Sequence, residues 1–155
     1  MIGDVGIASE SVRVNYPIED VFDFLVDGTN NHLWRPEVVR VIFAAGPPER
    51  AVWAQTLKSA SGKDRKADYR ISWYERPGKL ELTVFNGPSR PTIAFDLRSL
   101  TGASTEVTCT VNVKPLGYPF ERTRFGAAEA ARIAERVLDL DAGMAKRRQR
   151  PAASA

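Results

Sequence analysis

Six strand-like runs follow one another with almost no chain between them, and this limits the fold more than any other feature. They are Val38–Ala45, Ala51–Lys58, Arg65–Glu75, Lys79–Asn86, Pro91–Leu100 and Ser104–Lys114. The links are "GPPER", "SASGKD", "RPG", "GPSR" and "TGA". Short links rich in Gly and Pro make hairpin turns. A parallel pairing needs a crossover of roughly a dozen residues or more. The six runs are therefore expected to form an antiparallel meander.

What precedes the meander reads differently. Ser9–Tyr16 carries Val12 and Val14 on one face and predicts a further strand. Pro17 suits a first helical position, and Glu19 and Asp20 place acids in the first turn, where they complement the helix dipole. Ile18, Val21, Phe22 and Leu25 recur at helical spacing, and Gly28 is a helix stop. A short amphipathic helix over Pro17–Asp27 follows, with a second short one over Thr29–Trp34 ended before Pro36. After the meander, Ala130, Ile133, Val137, Leu140 and Met144 form the apolar stripe of one long helix reaching about Arg148. Glu129, Arg132, Glu135, Arg136 and Asp139 fall mostly on its other faces.

Several strands have distinguishable faces, as a sheet wetted on one side should. Tyr69, Ile71 and Trp73 alternate with Arg70, Ser72 and Tyr74; Leu82 alternates with Glu81 and Thr83. Phe95 and Leu97 oppose Asp96 and Arg98, and Cys109 sits in a row of valines opposite Thr108 and Thr110. Val52–Lys58 is ambiguous, because Trp53, Gln55 and Leu57 compete with Ala54 and Thr56. Asp68 and Arg70 read as an outer-face pair of little energetic weight. Seven strands at about 4.8 Å spacing are roughly three times as wide as one helix, so the sheet must curl around the helix. A concave, largely apolar space with a few polar groups is the usual form of a small-molecule pocket.

This order of elements is similar to that of the START/Bet v 1-like (SRPBCC) superfamily, the helix-grip fold. The local likeness is to its polyketide cyclase/dehydrase and lipid-transport branch. "VNYPIEDVFDFLVDGTNNHLWRPEVVRV" resembles that branch's opening, "YERPGKLEL" one of its strand turns, and "FDLRSLTGASTEVTCTVNV" its last hairpin. The resemblance spans about Ser9 to Met144. It implies an α+β fold: a seven-stranded curled antiparallel sheet on a long C-terminal helix, with two short helices after the first strand. It also implies a deep cavity between sheet and helix. Members bind lipids, sterols, hormones or polyketides, and some are aromatases or cyclases. Residues 1–148 are expected as one domain, with 149–155 as a flexible basic, Ala-rich tail.

The expected partner is a small hydrophobic molecule facing Trp53, Tyr69, Ile71, Trp73, Leu82 and Phe95 from the sheet. Leu97 and Cys109 extend that face, Phe125 and Ile133 meet it from the helix, and His32 sits at a possible mouth. Tyr69 and His32 are the candidates for acid–base work, because a hydroxyl and an imidazole can exchange a proton. Against that, no acid falls beside His32 in any pattern, so a structural corner is the preferred reading. Cys109 has no base or cation near it in sequence and reads as a buried thiol. No inward carboxylate pair or Ser-His-Asp arrangement is visible. The expectation is binding rather than catalysis; the alternatives are a cyclase, dehydratase or aromatase-like enzyme working without metal, and a non-enzymatic interaction module.

With one His, one Cys and neither CxxC nor HExxH, no cofactor or metal is expected. The net charge of +3 owes much to Lys146–Arg150 beside the end of the chain, which suits a solvated helix end better than a nucleic-acid face. No apolar run reaches the roughly 20 residues of a membrane span, and no signal peptide is recognised. A cytoplasmic monomer or homodimer is expected.

Overall fold

The structure is a computed structural model that describes residues 6–59, 61–87, 89–113 and 119–149, with side chains in the last segment from Gly126 to Arg148. Strand β1 (Ile7–Val14) leads into helix α1 (Ile18–Val26), a 3-10 turn at Gly28–Asn30 and helix α2 (Asn31–Trp34). Strands β2 (Val38–Ala45), β3 (Val52–Lys58), β4 (Asp64–Lys66), β5 (Tyr69–Glu75), β6 (Lys79–Val84), β7 (Thr92–Thr101) and β8 (Ser104–Asn112) follow. Helix α3 (Pro119–Glu135), a 3-10 turn at Arg136–Asp139 and α4 (Leu140–Gln149) complete the chain.

All the strands lie in one antiparallel sheet, in the order β1-β8-β7-β6-β5-β3-β2, with β4 paired to the far end of β3. The meander is thus present, and β1 joins it beside β8. The sheet has eight strands rather than seven because Arg65–Glu75 is not continuous. Ala67 and Asp68 interrupt it, so β4 pairs with β3 while β5 goes on to pair with β6. The helix-grip architecture follows, with the C-terminal helical segment interrupted by its 3-10 turn.

The core is made where the sheet meets that segment. Ala130, Ala134, Val137, Leu140 and Met144 are buried against Val14, Phe22, Phe95, Val107 and Val111. Ile133, Val137, Leu140 and Met144 keep the expected stripe, although Glu129, expected on an outer face, is buried as well. The helix can come this close because Gly143 meets α2: a Cβ there would lie 2.6 Å from the Trp34 Cβ. The basic end behaves as a solvated helix terminus, with Lys146–Arg148 exposed and Arg148 over the Tyr16 ring at 4.9 Å. Residues 150–155 of the expected tail lie outside the described residues.

One face assignment changes. The β5–β6 register shifts between Ile71 and Trp73, where the chain takes an extra residue at Ser72. A bulge of one residue exchanges the two faces beyond it. Trp73 therefore points outward, 49% exposed, with Lys79 Nζ 5.0 Å over its ring. Tyr74 turns in instead and meets Phe22 edge-on at 5.2 Å.

Candidate functional site

The corner after α1 is built by short polar side chains. Asp27 takes an extended conformation and ends α1; its carboxylate accepts from the Thr29 backbone N–H at 3.0 Å and the Thr29 hydroxyl at 2.7 Å. The next residue, Gly28, lies against the sheet: a Cβ would fall 2.6 Å from the Tyr69 hydroxyl and 2.7 Å from the Trp53 ring. It is glycine for closeness of approach rather than as a helix stop. That closeness brings Asn31 onto the sheet, where its Nδ2 donates to the Tyr69 hydroxyl at 2.9 Å and to Gln55 Oε1 at 3.1 Å. Gln55 Nε2 donates in turn to the Ala67 carbonyl at 3.2 Å. All three side chains are buried, so each bond is shielded from water.

Beyond this network a cleft of about 510 Å³ opens between β3, β4, the β6–β7 connection and the α3 end of the C-terminal segment. Its apolar wall is Leu57, Ala67, Val84, Pro91, Ile93 and Ile133. Gln55 and Arg35 form a polar floor; they are 1% and 6% exposed. Lys58, Arg65, Lys66, Arg132 and Arg136 stand around it with Glu37 and Glu129. The volume falls within the roughly 300–1,000 Å³ of small-molecule sites.

Asp68 braces one rim. It bonds reciprocally with Asn86: the Asp68 backbone N–H donates to Asn86 Oδ1, and Asn86 Nδ2 donates to Asp68 Oδ2, both at 2.8 Å. Its other oxygen accepts from the Gln55 backbone N–H at 3.0 Å. Burial raises this carboxyl's pKa, but the donors from Asn86 and Gln55, with Lys66 3.5 Å away, outweigh burial and hold it below the usual carboxylate range. The expected surface pair with Arg70 is therefore not what Asp68 makes.

Of the residues predicted to face a ligand, Ile133 lines this cleft. Tyr69, Ile71, Leu82, Phe95, Leu97 and Cys109 are buried in the core behind it. Trp53 borders a second, mostly apolar hollow of about 310 Å³ with Val26, Phe43 and Pro48. Trp73 is outside altogether, for the reason of the bulge, and Phe125 lies outside the described side chains. His32 is exposed and lines neither cavity, so the structure does not bring it to Tyr69. Burial pushes the Tyr69 hydroxyl up to about 12 and the Cys109 thiol to about 12.

Sequence reading missed Arg35, Glu37, Gln55 and Glu129. The one available signal was the series Trp53, Gln55, Leu57, which puts an amide on a face with two apolar residues. Among the described residues, no three His, Cys, Asp or Glu side chains are grouped to hold a metal ion. Among the same residues, no helix is long and apolar enough to cross a membrane.

The chain matches the family profile described as polyketide cyclase / dehydrase and lipid transport over residues 6–150. No curated protein sequence matches it. Its fold is similar to that of the Zhui aromatase/cyclase from Streptomyces sp. R1128, with a TM-score of 0.73 at 15% identity, covering 96% of this chain and 98% of that one. A START superfamily protein from Mycobacterium smegmatis gives a TM-score of 0.72 at 16% identity over 92% and 99% of the two chains. The di-domain ARO/CYC BexL from the BE-7585A biosynthetic pathway gives 0.68 at 16% identity; 94% of this chain is covered, which spans about half (50%) of BexL. At such identities the likeness is one of fold.

Proposed function

The chain belongs to the polyketide cyclase / dehydrase and lipid transport family, and on that premise we propose that it binds a small, largely apolar molecule in the cleft between sheet and C-terminal helical segment. The observation that carries this reading is the wall of Val84, Ile93 and Ile133, apolar side chains from the sheet and from α3 that line the cleft. Apolar surface gains about 25 cal/mol for each Å² that a ligand covers. The cleft adds a few fixed polar groups, enough to orient such a ligand.

Catalysis through Tyr69 and His32 draws no support from their positions. The Tyr69 hydroxyl is occupied by Asn31 in the core, and His32 faces solvent.

The test is uptake of a neutral hydrophobic dye such as Nile red by the wild type and by Ile133→Trp, in which an indole fills the cleft from α3. The wild type should take up dye and the variant should lose at least tenfold in affinity while unfolding at an unchanged urea concentration. Absence of uptake by the wild type, or equal uptake by both, sinks the reading.

A further inference from the structure

One carboxylate serves two arginines that line the cleft. Arg35 Nε donates to Glu37 Oε2 at 3.3 Å, and Arg136 Nε lies 3.2 Å from Glu37 Oε1 without an N–H directed at it. Arg35 is 6% exposed, and its two Nη groups make no hydrogen bond among the described residues. Its guanidinium carbon stands 5.9 Å from the centre of the Trp34 ring.

Three other cations of the cleft are matched locally. Lys58 pairs with Asp64, Lys66 with Asp68, and Arg132 with Glu129. Arg35, Lys58, Arg65, Lys66, Arg132 and Arg136 oppose Glu37, Asp64, Asp68 and Glu129; six cations less four carboxylates leaves +2. One of those two charges belongs to Arg65 at the exposed rim. The other belongs to the Arg35–Glu37–Arg136 group, with Arg35 buried.

Two guanidinium groups share one carboxylate, and a planar guanidinium with free Nη groups matches a carboxylate in two parallel bonds. We infer that the ligand of this cleft carries a single carboxylate, seated on Arg35 and Arg136, with its apolar body along Leu57, Val84, Ile93 and Ile133. The inference rests on the proposed apolar-ligand reading and specifies the ligand's class: an apolar monocarboxylic acid. Glu129, the nearest buried carboxylate on α3, does not oppose such an anion because Arg132 neutralises it.

The experiment is calorimetric titration with two matched pairs, 2-naphthoate against 2-naphthylmethanol and dodecanoate against dodecanol, which separate an aromatic from an aliphatic body. In the pair that fits, the acid should bind about tenfold more tightly than the alcohol, about 1.4 kcal/mol. Arg136→Gln should abolish that advantage, so that acid and alcohol bind alike, and it leaves Arg35 paired with Glu37. Arg65→Gln should retain it. Equal affinity of acid and alcohol in the wild type overturns this inference and leaves the apolar-ligand reading standing. An advantage lost in Arg65→Gln but kept in Arg136→Gln overturns the seat on Arg35 and Arg136. If neither pair nor a neutral dye binds, the apolar-ligand reading falls and this inference falls with it.

Discussion

Asn31 donates to the hydroxyl of Tyr69, 38 residues further along the chain, across 2.9 Å. The bond fastens the helical corner to the centre of the sheet, because Asn31 opens α2 and Tyr69 opens β5. Tyr69→Phe keeps the ring and removes the hydroxyl. The expected loss is about 1 kcal/mol, since Asn31 retains Gln55 as a partner. Urea unfolding checks it, and Nile red affinity should be unchanged because Tyr69 does not line the cleft. A binding defect without a stability loss would return Tyr69 to the site.

Gly28→Ala should cost about 1–3 kcal/mol, because the new methyl meets the Tyr69 hydroxyl and the Trp53 ring inside contact distance. Gly102→Ala is the control: nothing lies within 4 Å of its Cβ position, and its effect should stay within about 0.5 kcal/mol. The urea midpoint should fall in the first variant with an unchanged slope.

Asp68 predicts an acid-sensitive rim. Its folded-state pKa lies below the unfolded value, so its contribution is present above the ordinary Asp range and is lost as pH falls through the depressed pKa. Asp68→Asn should cost about 1–3 kcal/mol at pH 7, because a side-chain amide cannot accept at both positions. It should also flatten stability, relative to the wild type, as pH falls through and below the ordinary Asp range. Urea midpoints across that range decide it.

The alkaline side has the opposite sign. Tyr69 and Cys109 are both raised on folding, so each contributes stability that is complete below its unfolded pKa and declines as pH rises toward about 12. Stability should begin to fall near pH 9 through the thiol, at about 1.4 kcal/mol per pH unit, and more steeply above pH 10. Cys109→Ala should move the onset to near pH 10. At pH 8 the native thiol should resist a disulfide reagent that modifies it quickly in urea.

The fold was legible because it depends on period and punctuation. Leu80, Leu82 and Val84 alternate cleanly, and so do Ile93, Phe95 and Leu97; both sets are buried as read. Trp73 was misplaced because a bulge leaves no mark in a sequence of uniformly strand-like residues, yet it reverses every side chain after it. The site was less legible. Arg35, Glu37 and Arg136 are ordinary surface types that meet only through tertiary structure, and Arg136 lies about a hundred positions from its partner. Ile133 was found because the apolar stripe of a helix must face the sheet, whatever else fills the space between them.

The ladder between β3 and β5 has two residue pairs, Val52–Arg70 and Trp53–Tyr69, where β7 and β8 share nine. On the far side of that short seam β2, β3 and β4 hang together. Single bonds beside the ladder complete the join: the Ala67 backbone N–H donates to the Gln55 carbonyl, the Ile71 N–H to the Ala51 carbonyl and the Gln55 N–H to Asp68. The continuity of the sheet at this place therefore depends on one carboxylate as well as on backbone pairing.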